Sequence, residues 1–196
     1  MAEAAIEPIG WERALLAAEK VKERVRRATR ALDAAGIPYA VVGGNAVAEW
    51  VGRIDEDAVR NTRAVDILIR RPEFPAARAC LESVGFIYFE VLSVDTFIDG
   101  PQGKPSGGIH LLYAGEKVRQ DDEYALPEIE ESERAGEFQV VNLEALLLMK
   151  LTSFRLKDRV HILDMIGVGL LDATWLSRLP APLGARLKQL LDNPNG

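Results

Sequence analysis

The chain has 196 residues, 48% of them hydrophobic and 28% charged, the profile of an ordinary globular domain long enough for a sizeable core. Its 24 Lys and Arg against 30 Asp and Glu give a net charge of −6, which argues against broad nucleic-acid coating and leaves room for a local basic patch only. A single cysteine, Cys80, excludes an internal disulfide and a cysteine-built zinc cluster, and fits a reducing, cytoplasmic setting.

In chain order, the opening MAEAAIEPIG carries acids and no apolar core, so no signal peptide is expected there. No apolar run approaches the roughly 18 residues of a membrane span. Residues 11–35 read as a helix, with Leu15, Ala18, Val21, Val25, Ala28 and Leu32 forming one apolar stripe and Gly36 ending it. IPYAVV, 37–42, is a short buried strand. Gly43 and Gly44 make a turn into a short helix over 45–51, and the polar 52–61 is a loop. Residues 64–70 form a second strand. A helix over 73–84 follows, with Pro72 near its start and Gly85 as its stop. Residues 86–92 make a third strand, and the loop DGPQGKPSGG separates it from a fourth over 109–113. Residues 116–137 are dense in acids and read as a solvated connector.

From Asn142 the pattern turns helical. Asn142 is the expected N-cap of a helix running to Phe154. Further helices are expected over 157–167 and 183–191. The predicted fold class is α/β (α+β): a mixed sheet flanked by helices over 1–141, with a C-terminal helical segment over 142–196 packed on it.

Three stretches then stand in a telling order: YAVVGGNAVAEWVG, RNTRAVDILI and GGIHLLYAG. With the later LLLMKLTSFRLKDRVHILDMI, they resemble the nucleotidyltransferase superfamily of the DNA polymerase β type, especially its small bacterial members, over about residues 36–166. That family shows a strand, a Gly-Gly or Gly-Ser turn into a short helix, an Arg-x-Thr-x-Asp-[Ile/Val]-Asp strand, and a third carboxylate on a later strand. The resemblance implies a nucleoside triphosphate ligand and Mg2+. Carboxylates two apart on a strand share one face and hold the metal. A glycine turn lets backbone N–H groups approach phosphates.

Carried over residue by residue, the resemblance puts Gly43, Gly44, Asn45, Arg60, Thr62 and Lys150 at nucleotide-binding positions. Asp66 falls on the family's second Asp and is the one candidate catalytic carboxylate, and Asp66 and His110 are the candidate metal ligands. The first Asp falls on Ala64 and the third acid on His110. A methyl group ligates no cation, and magnesium prefers hard oxygen ligands over imidazole. The expectation is therefore a nucleotide-binding or regulatory protein with lost or much reduced transfer, a pseudoenzyme. The alternatives are an active enzyme that moves a nucleoside monophosphate to a small hydroxylated acceptor, tRNA or a protein, and an antitoxin-like interaction module.

Each of these residues also has a plain structural reading. Gly43 and Gly44 could serve shape alone, with Asn45 as cap. Asp66 could be bonded to backbone or to Arg60, since an unpaired carboxylate among apolar neighbours is costly. If His110 faces Asp66, its pKa should rise. Asp55, Glu56 and Asp57 are either a solvated loop or a source of a replacement ligand. Lys150 and Asp158 are either phosphate-facing or helix-end charges, and His161 shares a helical face with Asp164. The basic run Lys20, Lys22, Arg24, Arg26, Arg27 and Arg30 could grip RNA or an acidic protein partner. It could equally be a solvated face with Glu19 and Glu23. Cys80 reads as core.

Overall fold

The computed structural model describes residues 10–91 and 94–194. Residues 1–9 of the opening segment and Leu92, the expected end of the third strand, lie outside them. The helices are α1 (Trp11–Ala34), α2 (Gly43–Gly52), α3 (Phe74–Ser83), α4 (Leu143–Ser153), α5 (Leu156–Gly167) and α6 (Ala181–Asp192). The strands are β1 (Tyr39–Val42), β2 (Val65–Ile69), β3 (Phe86–Val91), β4 (Val94–Asp99), β5 (Ile109–Tyr113), β6 (Ser132–Ala135) and β7 (Phe138–Val141).

The strands form one seven-stranded mixed sheet in the order β3-β4-β5-β2-β1-β7-β6. Strand β1 runs antiparallel to β2 and parallel to β7, and β2 runs parallel to β5. The two-residue period of each strand divides the core between the two faces of the sheet. On one face Tyr39, Val41, Val65, Ile67, Ile69, Ile109 and Leu111 pack with Val25, Ala28 and Leu32 of α1 and Ala77 and Leu81 of α3. On the other, Ala40, Val42 and Leu68 pack with Val47 and Val51 of α2 and with Leu146, Leu151, Ile162 and Leu187 of α4–α6. The even-numbered residues of β2 and β5, Asp66 and His110 among them, therefore face the side that carries α2, α4 and α5.

Several expectations need correction. The stretch before the 99–108 loop holds a strand, β4, paired along its length with β3. Thr96, Phe97 and Ile98 are buried there, but the polar Thr96 and the acids Asp95 and Asp99 break the apolar pattern. The acid-rich connector contains β6, which forms a hairpin with β7 around Gly136 at φ 55°. Ile129 and Ala135 of that connector are buried, so the connector is not simply solvated. Helix α2 begins at Gly43, two residues before the expected start. Its N-cap is Val42, with no side-chain cap bond, so Asn45 is not the cap. Leu15, assigned to the α1 stripe, is 68% exposed, because burial on that helix begins with the half-buried Ala18 and Val21 and is complete only from Val25. Gly36 does end α1, at φ 66°, and Asn142 caps α4 by accepting from the Ala145 N–H at 2.9 Å.

Candidate functional site

A cleft of about 510 Å3 opens between the exposed ends of β2 and β5 and the α4–α5 junction. Gly43, Gly44, Thr62, Ala64, Asp66 and His110 line it from the sheet, and Lys150, Ser153, Arg155, Lys157, Asp158 and His161 from the helices. Segment 118–126 adds Val118, Arg119, Tyr124 and Leu126, which with Leu112 and Met149 form a more apolar wall.

The sheet register sets the chemistry at the cleft floor. Asp66 and His110 are direct partners in the parallel β2–β5 ladder. The same face orientation follows, and His110 Nδ1 lies 3.1 Å from Asp66 Oδ1. The other ring nitrogen, Nε2, lies 3.1 Å from the Pro105 carbonyl. Both partners are acceptors, and an imidazole donates from both nitrogens only when it is protonated. The hydrogen bond to Asp66 accordingly raises the His110 pKa, against the lowering effect of burial, as expected for a facing pair.

The two turn glycines pack against β2 and the segment that leads into it. Gly43 sits at φ 68°, and a Cβ there would lie 2.1 Å from Asp66 Oδ2. A Cβ on Gly44 would lie 3.1 Å from the Thr62 side chain. Asn45 donates from Nδ2 to the Ala64 carbonyl at 2.7 Å, and the Thr62 hydroxyl donates to the same oxygen at 3.3 Å. Ala64 thus anchors α2 through its backbone while its side chain offers the cleft only a methyl group.

A magnesium ion does not fit this donor set. Asp66 is bonded to the His110 ring, Ala64 has no donor atom, and among the described residues no three His, Cys, Asp or Glu side chains converge to hold a metal. Asp55 is turned to its own loop, capping the Asp57 N–H at 3.0 Å, and residues 55–57 do not line the cleft.

The helical wall carries a buried ion pair. Lys150 is 6% exposed and Asp158 1%, and Lys150 Nζ donates to Asp158 Oδ1 at 3.1 Å. Ser153 Oγ, the Arg155 backbone N–H and Arg155 Nε all donate to Asp158 Oδ2. Burial alone would raise the Asp158 pKa, but Lys150, Arg155 and Ser153 outweigh it and hold the value down at about 2. His161 goes the other way: burial, then the nearby Lys150 charge, lowers its pKa to about 4, so it is neutral. Phe154, at φ 44°, makes the left-handed reversal that brings the end of α4 against the start of α5.

Asn45 does not line the cleft, and two further sequence candidates lie elsewhere. Arg60 is not on the cleft; its guanidinium makes a two-point contact with Asp164 of α5, at 2.9 and 3.0 Å. The basic face of α1 is largely met by the chain's own acids. Arg24 and Arg27 pair with Asp99, and Arg26 and Arg30 with Glu137. Cys80 packs beside the α1–α3 core, with its thiol pKa raised by burial. Sequence reading missed Arg119 and Tyr124, which no motif marks, and gave His161 no role.

The fold has solved counterparts. An antigenic nucleotidyltransferase-like protein from Paracoccidioides brasiliensis superposes with a TM-score of 0.58 at 17% identity, over 91% of this chain and 91% of that one. The chain has a nucleotidyltransferase-like fold. A crystal structure of ANT(2'')-Ia in complex with adenylyl-2''-tobramycin matches it at a TM-score of 0.53 and 16% identity, over 91% of this chain and 99% of that one. JHP933 from Helicobacter pylori matches at 0.52 and 13%, over 90% and 93%. No family model and no curated protein matches the sequence. No helix of this nucleotidyltransferase-like chain, among the described residues, is long and apolar enough to cross a membrane.

Proposed function

We propose that this chain binds a nucleotide in the cleft without a metal ion, has lost metal-dependent nucleotidyl transfer, and serves as a regulatory binding protein. The observation that carries the reading is the His110–Asp66 pair, with Ala64 beside it. In the family that the sequence resembles, cations at this place offset phosphate charge. Here the His110 ring stands in the same corner, 3.1 Å from Asp66 and 3.1 Å from the Pro105 carbonyl, and Asp66 raises its pKa, which favours the charge-bearing form of the ring.

The remaining lining suits such a ligand. The N-terminus of α2 at Gly43 and Gly44 opens on the cleft, where free N–H groups favour an anion. Lys150, Lys157, Arg119 and Arg155 add cationic groups, and Leu112, Val118, Tyr124, Leu126 and Met149 give an apolar wall for a base. A volume of about 510 Å3 is of the size that small-molecule ligands occupy. The ANT(2'')-Ia complex, with its adenylyl-2''-tobramycin, supports an adenylyl-bearing ligand in this fold.

The test is release of pyrophosphate from each of ATP, GTP, CTP and UTP, with Mg2+ or Mn2+ and a mixture of hydroxylated acceptors. The reading expects none above a protein-free control. Release that disappears in Asp66→Ala would establish an active transferase instead.

A further inference from the structure

His161 is a ring in an unusual state for a cleft wall. Its Nδ1 is buried and has no hydrogen-bond partner among the described residues, while the residue itself lines the cleft. A buried N–H without a partner is rarer, and costlier, than an unused lone pair. The ring proton therefore belongs on Nε2, the nitrogen on the accessible edge. Lys150, Asp158, Asp164 and Lys157 all stand close enough to act on the ring electrostatically, the carboxylates for a positive ring and the lysines against it, and burial with Lys150 prevails. The two lysines disfavour a positive ring, and they also draw an anion to the same spot.

We infer that His161 is a ligand-positioning residue, donating a neutral Nε2–H to a phosphate oxygen that Lys150 and Lys157 attract into the cleft. The inference rests on the nucleotide-binding reading and names a contact that reading does not need. Neutrality matters for the geometry. A neutral donor adds direction to the charge that the lysines supply, so it selects an acceptor at one position.

Two measurements test it. In the free wild-type protein, 15N-edited NMR of the imidazole should show the Nε2–H tautomer, and inorganic tripolyphosphate or ATP should shift that signal. By isothermal titration, His161→Gln, which keeps an N–H near the Nε2 position, should bind ATP within about threefold of wild type, while His161→Phe should lose about tenfold or more, as for a hydrogen bond to a charged group. A proton on Nδ1, an unmoved imidazole signal in the ligand-bound protein, or wild-type affinity in His161→Phe would overturn the inference and leave the nucleotide reading standing. Failure of the wild type to bind either probe would remove both. A response to ATP but not to tripolyphosphate would move the His161 contact from the phosphates to the nucleoside, against the inference.

Discussion

Gly43 and Asp66 occupy adjoining space: any Cβ on Gly43 would intrude to 2.1 Å from the Asp66 carboxylate. The glycine is thus required twice, by its φ of 68° and by its neighbour on β2. Gly43→Ala should cost roughly 2–4 kcal/mol, from left-handed strain plus the clash. In an Asp66→Ala background that cost should shrink by about 1 kcal/mol or more, because the two sites couple through contact. Urea denaturation of the four proteins of this cycle checks it, and additive effects would refute the shared space.

The Asp66–His110 pair predicts a pH dependence of stability. The folded His110 pKa is raised above its unfolded value of about 6.5. The pair's contribution is then fully present below about pH 6.5 and is lost as pH rises through the folded pKa. The thermal midpoint of wild type minus that of His110→Gln should therefore be larger near pH 5.5 than near pH 9. An equal difference at both would mean that the ring is neutral in the fold.

Lys150 and Asp158 form a buried pair whose halves depend on each other. Asp158→Asn leaves a buried ammonium short of its counter-charge and should destabilise by roughly 3–5 kcal/mol at neutral pH. The depressed Asp158 pKa of about 2 fixes the sign of its acid response. Its stabilisation is present above an unfolded pKa of about 3.9 and fades as pH falls through about 2. The gap between wild type and variant, followed by chemical denaturation, should narrow only below about pH 4.

The proposed loss of a metal site can be tested by building one on this scaffold. Ala64 directly precedes β2, two residues before Asp66, both line the cleft, and His110 is the ladder partner of Asp66. Ala64→Asp combined with His110→Asp would place three carboxylates there and remove the imidazole that engages Asp66. The double variant should bind Mn2+ with an affinity that wild type lacks, read by the water-proton relaxation that bound Mn2+ enhances. Equal weak binding in both proteins would show that the substitutions at 64 and 110 are not what sets metal affinity.

How much of this was legible before the structure depended on period and spacing. The α1 stripe beyond the exposed Leu15, strands β1, β2 and β5, and helices α4 and α5 carry apolar patterns that were readable. The facing of Asp66 and His110 was legible only through the ordered motifs, since no local pattern pairs residues 44 apart. Strand β4 was hidden because the tyrosines Tyr88 and Tyr113 satisfy Asp95, so an acid can sit where a strand reader expects an apolar residue. Strand β6, SERA, has no strand-like composition at all; its pairing with β7 makes it a strand. The role of α1's arginines could not be read either, because their partners, Asp99 and Glu137, lie more than 70 residues away in the chain.

The central claim is that this cleft takes a nucleotide with its own cations in place of metal ions. Isothermal titration with ATP in the presence of EDTA, repeated with saturating Mg2+, tests it most directly. The account predicts binding in EDTA, and an affinity that Mg2+ leaves unchanged or weakens. Binding that appears only when Mg2+ is added would contradict it.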